Sequence, residues 1–128
     1  MNLNSILLGS EDPQRLADYY NKLFGDGFDD GGYTGWRLGD GMLSVGPHDQ
    51  VHGKNAHPGR IIWNIESEDV KTDFERFKAA GATVIREPYE PDAGPEGTGS
   101  GFWIATFADP DENYFQLMSP FPEQSQMG

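Results

Sequence analysis

The chain has 128 residues, a length that suits one domain or two small halves. Its formal net charge of −12 argues against nucleic acid or an anionic membrane surface as a partner. It contains no cysteine, so disulfides, thiolate nucleophiles and cysteine-ligated metal sites are excluded. The 17 glycines and 9 prolines favour short strands joined by turns over a helical bundle.

The N-terminal segment predicts a cytoplasmic protein. Its apolar centre, Ile6-Leu7-Leu8, is too short to span a membrane, and no basic residue precedes it. We therefore expect neither a signal peptide nor a membrane helix.

A strand and a helix open the chain. The apolar run over residues 3–8 predicts a buried strand, which stops at Gly9-Ser10. Asp12 or Ser10 then caps a helix that ends at Gly25. The apolar stripe of this helix is Leu16, Tyr19, Tyr20, Leu23 and Phe24.

The rest of the first half predicts further strands. Residues 26–32 are acidic and glycine-rich, which is typical of a turn or a weak edge strand. Strands at 33–38 and 42–45 are joined by a tight hairpin at Gly39-Asp40-Gly41. Residues 48–59 show no periodicity and predict a linker.

The second half repeats this order of elements. It predicts a strand at 60–65, a helix at 67–80, and strands at 83–87, 102–108 and 114–119. Ser67 or Asp69 would cap the helix, whose buried face is Val70, Phe74 and Phe77.

These elements predict an α+β fold of two tandem βαβββ modules. We expect a curled mixed sheet around a cleft, with the helices on the outer face. The expected divisions are module one at 1–47, a linker at 48–59, module two at 60–119 and a tail at 120–128. The Pro- and Gly-rich segment 89–101 is long for a compact domain and could form a lid over the cleft.

Three segments carry a resemblance to a known superfamily. They are Asp12-Pro13 with Tyr19-Tyr20 and Leu23-Phe24-Gly25, Asp69-Val70 with Ala79-Ala80-Gly81-Ala82, and Phe107-Ala108-Asp109-Pro110-Asp111-Glu112-Asn113 with Gln116-Leu117. Together they resemble the vicinal oxygen chelate superfamily, which includes glyoxalase I, extradiol dioxygenases, fosfomycin-modifying enzymes and bleomycin resistance proteins. The superfamily often has glycine where Glu112 stands, so this position predicts another turn type or mild backbone strain.

The resemblance also implies where a metal would bind. Metal-dependent members hold a divalent cation with His or carboxylate side chains on the first and last strands of each half. The matching positions here are Ser5, Ser44, Arg60 and Gln116. Hydroxyls and an amide are weak ligands, and a guanidinium repels cations. The sequence therefore predicts no metal centre and no cofactor.

The same four side chains suit hydrogen bonding to a small molecule. Tyr114 and Met118 alternate with Phe115 and Leu117 along the last strand, so we expect them beside Gln116 as ligand-binding residues. An equally open alternative is that Arg60 and Gln116 only satisfy buried polar groups.

The remaining polar and aromatic clusters have ordinary explanations. The three histidines lie in the loop segment and are expected to be exposed: His48, His52 and His57. The larger aromatic residues are better explained by the core and by subunit contacts than by ligand stacking: Tyr33, Trp36, Trp63 and Trp103. Acidic residues near the segment 89–101 would face a cationic ligand or keep the loop solvated: Glu87, Glu90, Asp92 and Glu96.

The sequence therefore predicts a metal-free small-molecule-binding protein of the glyoxalase/bleomycin resistance type, with an unknown ligand and no assigned catalytic residue. One alternative is a lyase, isomerase or dioxygenase with an atypical metal site. Another is a non-catalytic assembly module. The resemblance also implies a homodimer, because superfamily members of this size commonly pair to cover sheet edges and a helix face, and symmetric association is general among soluble oligomers.

Overall fold

The computed structural model describes residues 1–97 and 99–121. Its elements form two βαβββ modules, each with a four-stranded mixed sheet and one helix. The predicted α+β class and the tandem modules are confirmed. Within the described residues, no helix combines the length and the apolar character needed to cross a membrane. Residues 122–128 of the predicted tail lie outside this range.

The contacts within the chain define two units. The first comprises Met1–Pro58 together with Asp109–Asn113, and the second comprises Gly59–Ala108 and the chain from Tyr114 onward. The turn at 109–113 is therefore continuous with strands of the second unit but makes its contacts within the first.

The first module has five elements, which are β1 (Ile6–Ser10), α1 (Pro13–Phe24), β2 (Phe28–Asp30), β3 (Tyr33–Leu38) and β4 (Gly41–Pro47). The strand order is β1-β4-β3-β2, with β1 parallel to β4 and the other pairs antiparallel. The first strand begins later than the apolar run predicted and includes Ser10, because pairing with β4 continues from Ile6 to Ser10.

Helix α1 packs its apolar face onto the first sheet. The Asp12 carboxylate accepts a hydrogen bond from the Arg15 N–H at 3.2 Å, which confirms the predicted cap. The fully buried positions of the helix are Leu16, Ala17, Tyr20 and Leu23, while Tyr19 and Phe24 are half-buried. They meet the buried sheet residues Trp36, Leu43 and Val45 in a small core.

The second module repeats this arrangement with β5 (Ile62–Glu66), α2 (Val70–Ala79), β6 (Thr83–Tyr89), β7 (Ile104–Ala108) and β8 (Tyr114–Met118). The strand order is β5-β8-β7-β6, with β5 parallel to β8. Its core is a stack of aromatic rings, in which Phe107 lies 5.4 Å from Phe74 and 5.5 Å from Phe115 between ring centroids. The predicted burial of Val70, Phe74 and Phe77 is confirmed.

Helix α2 begins later than its predicted start. Asp69 is the cap and accepts hydrogen bonds from the Thr72 hydroxyl and from the Thr72 N–H, which lower the pKa of Asp69. Ser67 lies before the helix, where its hydroxyl donates to Asp73 at 2.6 Å and accepts from the Asp69 N–H. The Ser67 hydroxyl therefore supports the helix start from outside the helix.

The segment between β6 and β7 is tied by its own carboxylates. Glu90 accepts a hydrogen bond from the Gly101 N–H at 2.7 Å, and Asp92 accepts one from the Ser100 N–H. Glu90 and Asp92, two of the four acidic residues near this segment, thus hold the two ends of the loop together.

The turn at 109–113 is built around the buried carboxylate of Asp109, which is 3% exposed. This carboxylate accepts hydrogen bonds from the Asp111 N–H and the Asn113 N–H, both at 2.9 Å, and from the Asn113 side-chain amide. Glu112 has φ = 65°, and within the part of the chain that the structure describes it is the single non-glycine residue with positive φ. The turn therefore keeps the conformation that favours glycine, and Glu112 carries the strain.

Helix α1 completes the bonding of this turn. The Tyr20 hydroxyl donates to the Asp109 carboxylate at 2.7 Å, and the Ser10 hydroxyl donates to Asp111 at 2.5 Å. The Arg15 guanidinium donates to Asp111 at 3.1 Å and to the Pro110 carbonyl at 3.2 Å. These contacts place residues 109–113 in the first unit.

Burial governs the ionisation of Asp109 and Tyr20. It raises the pKa of Asp109, while hydrogen bonds from Asn113, Tyr20 and Asp111 oppose that rise. Burial, followed by the charge of Asp109, raises the pKa of Tyr20 well above its usual value. Because its folded-state pKa is raised, Asp109 contributes most to stability while it is protonated, and that contribution falls as the pH rises through the folded pKa.

We predict that Tyr20→Phe lowers the free energy of unfolding by about 1.5–3 kcal/mol at neutral pH, because a buried carboxylate loses a donor. The loss should be smaller near pH 4, roughly the ordinary pKa of aspartate, where Asp109 is protonated in a larger share of molecules. Urea unfolding at the two pH values measures both effects. Tyr33→Phe is the matched control, since its exposed hydroxyl is 3.5 Å from its acceptor. An equal loss in the two variants would contradict the prediction.

Candidate functional site

Each sheet has one face against its helix and an opposite face, here named the open face. In the first sheet Leu43 and Val45 of β4 are buried, so the alternating residue Ser44 lies on the open face. It pairs with Leu7 of β1 on one side and with Gly35 of β3 on the other.

Two aromatic rings cover glycines on this open face. The Phe28 ring lies against Gly35, where an added Cβ would be 3.1 Å from the ring. The Tyr33 ring lies against Gly46, where a Cβ would come within 2.1 Å. Both side chains remain partly accessible, at 55% for Phe28 and 41% for Tyr33. Glycine is thus required under Tyr33 because the ring occupies the volume of a side chain.

The open face of the second sheet carries three of the predicted residues. Phe115 and Leu117 of β8 are buried, and Tyr114, Gln116 and Met118 alternate with them as half-buried residues. The Gln116 amide donates to the hydroxyl of Thr106 on β7 at 2.9 Å. In the other direction Gln116 pairs with Asn64 of β5.

Two of the predicted residues lie just outside the strands. Ser5 is half-buried and precedes β1, and Arg60 is exposed and precedes β5. Ser5 and Ser44 belong to the first unit, whereas Arg60, Gln116, Tyr114 and Met118 belong to the second. Among the described residues, Arg60 and Gln116 make no hydrogen bond to each other.

Sequence reasoning missed Arg86 of β6, which also lies on the open face of the second sheet. The strand has register shifts between Val84 and Arg86 and between Arg86 and Tyr89. Regular alternation from Val84 would put Arg86 on the helix side, but the shift pairs it with Thr106 on the open face. Its guanidinium carbon lies 3.5 Å from the centre of the Tyr89 ring.

The donor types at the four inferred metal positions do not fit a divalent cation. They supply two hydroxyls, one neutral amide and one guanidinium, and the amide nitrogen of Gln116 already donates to Thr106. Across residues 1–97 and 99–121, no group of three or more His, Asp or Glu residues is placed to hold a metal ion.

The histidines are exposed, as predicted. His52 lies 3.4 Å from Glu11, and His48 lies 3.6 Å from Asp49 and accepts from the Gln50 N–H at 3.1 Å. The backbone N–H of His57 donates to the side-chain oxygen of Asn55.

Two depressions lie in the first unit. One of about 420 Å³ is lined by Asn2, Leu3, Asn4, Arg37, Asp40 and Met42, next to Ser5 in the chain. The other, of about 280 Å³, lies between the loop around His52 and the turn residues Asp111 and Asn113. Asn55 crosses this region and bonds to both turn residues, through its N–H to Asp111 and its amide to Asn113.

Comparison with known proteins identifies the family. The sequence model of the glyoxalase-like domain matches residues 5–118. This chain belongs to the glyoxalase-like family. It is therefore a member of the vicinal oxygen chelate superfamily, as the three sequence segments indicated. No curated protein matches the sequence at a significant level.

Solved structures share the fold of this glyoxalase-like chain. A glyoxalase/bleomycin resistance protein/dioxygenase family enzyme from Burkholderia phytofirmans PsJN is 18% identical, with a TM-score of 0.69 and coverage of 94% of this chain and 100% of that one. A glyoxalase/bleomycin resistance protein/dioxygenase from Nocardioides is 13% identical, with a TM-score of 0.71 and coverage of 95% and 85%. The bleomycin resistance determinant encoded on transposon Tn5 is 20% identical, with a TM-score of 0.63 and coverage of 93% and 98%. At these identities the likeness establishes the fold.

We predict that Gly46→Ala lowers the free energy of unfolding by about 1–3 kcal/mol, because the new methyl group must displace the Tyr33 ring. Gly41→Ala is the matched control, since its Cβ would meet its nearest atom at an ordinary 3.6 Å. Urea unfolding of both variants, alone and combined with Tyr33→Ala, measures the effect. If Gly46→Ala costs as much without the ring as with it, the steric explanation fails.

Proposed function

We propose that this glyoxalase-like protein binds a small molecule through hydrogen bonds from its open sheet faces and without a metal ion. The observation that carries the proposal is the bonding of Gln116. A neutral amide stands where the superfamily resemblance implies a metal ligand, and its nitrogen is held by the Thr106 hydroxyl. An amide fixed in this way presents its oxygen as an acceptor instead of completing a carboxylate ligand set.

The surroundings of Gln116 support a binding face. Tyr114 and Met118 flank it on the same strand and are half-buried. An apolar lining with a few polar groups is what small-molecule sites generally contain. On the first sheet, the accessible rings of Phe28 and Tyr33 beside Ser44 offer a comparable combination.

A bound divalent cation distinguishes the proposed binding protein from an enzyme with an atypical metal site. A lyase, isomerase or dioxygenase of the same superfamily would need a bound divalent cation. The residues at the four inferred positions supply no carboxylate and no imidazole, so they support binding without a metal instead.

We further propose a homodimer. Each sheet has two edge strands, and exposed apolar side chains lie on or next to them, including Leu7 at 49% and Ile61 at 72%. Symmetric pairing would remove such groups from water. Light scattering should give twice the 14.2 kDa mass of one chain, and a stable monomer at all concentrations would refute the dimer.

The proposed function predicts no retained metal together with specific ligand binding. After incubation with Ni²⁺, Zn²⁺, Mn²⁺ or Fe²⁺ and desalting, elemental analysis should find far less than one ion per chain. Thermal-shift measurements should find compounds that raise Tm, and bleomycin is the first probe because one structural relative is a bleomycin resistance determinant.

The control separates specific from general stabilisation. Gln116→Ala should reduce the ligand-induced shift, whereas Gln14→Ala, which removes an exposed amide from helix α1, should leave it unchanged. Stoichiometric metal retained by the wild-type protein would favour the enzyme. No stabilisation by any compound of a broad panel would favour the assembly module.

A further inference from the structure

A row of four polar side chains crosses the open face of the second sheet. Asn64 of β5 pairs with Gln116 of β8, Gln116 pairs with Thr106 of β7, and Thr106 pairs with Arg86 of β6. Paired residues point to the same face of a sheet. Every strand therefore contributes one polar residue to a single line.

Arg86 is oriented within this row and keeps its hydrogen-bonding capacity. Its guanidinium stacks on the Tyr89 ring, with the central carbon 3.5 Å from the ring centre. Among residues 1–97 and 99–121, no carboxylate or carbonyl accepts a hydrogen bond from this guanidinium. The contact with the ring positions the guanidinium, and its N–H groups stay available for a planar anion.

The middle of the row has a defined polarity. The Thr106 side chain is 7% exposed. Its hydroxyl accepts from the Gln116 amide, so its own hydrogen is available to a ligand atom that reaches it. Within the described chain, no donor reaches the side-chain oxygen of Gln116, and the exposed Asn64 amide has no partner. The row therefore runs from donors at Arg86 and Thr106 to an acceptor at the Gln116 oxygen, and it ends at the Asn64 amide, which can both donate and accept.

The rows on both sides are apolar except at one end each, where Thr83 pairs with Ala108 on β7 and the exposed Glu66 of β5 pairs with Met118. On one side Ile62 pairs with Tyr114, which pairs with Ala108. On the other side Met118 pairs with Ile104, which pairs with Tyr89. Apolar neighbours lower the local dielectric and strengthen hydrogen bonds made along the row.

We propose that this row binds an organic carboxylate that carries an amide or amine N–H roughly 10 Å away, the distance of two strand spacings. Arg86 and Thr106 bind the carboxylate, and the Gln116 oxygen accepts the N–H with Asn64 beside it. The inference rests on the proposed function and adds the chemical class of the ligand. It also gives a local role to cationic Arg86 in a chain whose net charge is −12.

The test uses N-acetylated Ala-Phe-Ala, whose extended length spans roughly 10 Å, and the same tripeptide with an amidated C-terminus. Two-dimensional ¹⁵N NMR of the intact chain reports binding at individual N–H groups. We expect the tripeptide with a free carboxylate to shift the Arg86 Nε–H and Gln116 Nε2–H₂ resonances. At equal concentration the amidated tripeptide should shift them at least about tenfold less, because a hydrogen bond to a charged group strengthens binding by about that factor.

Substitutions at Arg86 separate charge from geometry. Arg86→Gln should weaken carboxylate binding at least about tenfold, and Arg86→Lys should weaken it less, since lysine keeps the charge but lacks the fork. Arg76→Gln is the matched control, because Arg76 lies in helix α2 on the other side of the sheet and pairs with Asp73 at 3.8 Å.

The outcomes distinguish this inference from the proposed function. Equal shifts with the free and amidated tripeptides, or no shift at Arg86 with either, would overturn the carboxylate row. The proposed function would survive that result if the thermal-shift screen still found a ligand sensitive to Gln116→Ala. If Arg86→Gln does not fold, the wild-type comparison of the two tripeptides decides the question alone.

Discussion

The hydrogen bond from Tyr20 to the buried carboxylate of Asp109 is the constraint on which the first unit depends. Asp109 also bonds to Asp111 and Asn113, so every part of the turn converges on one pair of oxygens. A buried carboxylate is tolerated only when its oxygens have donors. The same turn places the Asp111 carboxylate against Ser10 and Arg15, and it places the Asp111 backbone carbonyl against the Asn55 N–H. Removing one donor therefore affects the end of β1, the start of α1 and the loop before β5 together.

Local signals in the sequence predicted the helices well. They did not predict the strand ends or the bonds of the turn, which depend on residues far apart in the chain. Asp12 and Asp69 were recognisable as caps because a cap depends only on residues three positions away. Strand ends depend on the partner strand, which is why β1 begins at Ile6 and not at residue 3. The motif at 109–113 was evident in the letters, but its bond to Tyr20 joins residues 89 positions apart, and no spacing rule reveals such a contact.

The same distinction applies to the candidate site. Alternation placed Tyr114, Gln116 and Met118 on one side of β8 because that strand is regular. Alternation failed for Arg86 because the register shift between Val84 and Arg86 reverses the face of the residues that follow it. A face made of amide, hydroxyl and guanidinium groups also recognises ligands differently from a metal centre. It discriminates by whether each donor and acceptor finds a counterpart, since an unmatched buried polar group costs more than a matched one contributes.

The membership of the turn in the first unit has a consequence for how this chain folds during synthesis. The strands and the helix of the first module are complete at Pro47, yet the hydrogen bonds from Ser10, Arg15 and Tyr20 to the turn form only when residues 109–113 are present. When only the first half has left the ribosome, the Tyr20 hydroxyl cannot yet donate to Asp109. The N-terminal half therefore reaches its full stability only after nearly the whole chain has emerged, which makes folding of the protein a late and cooperative event.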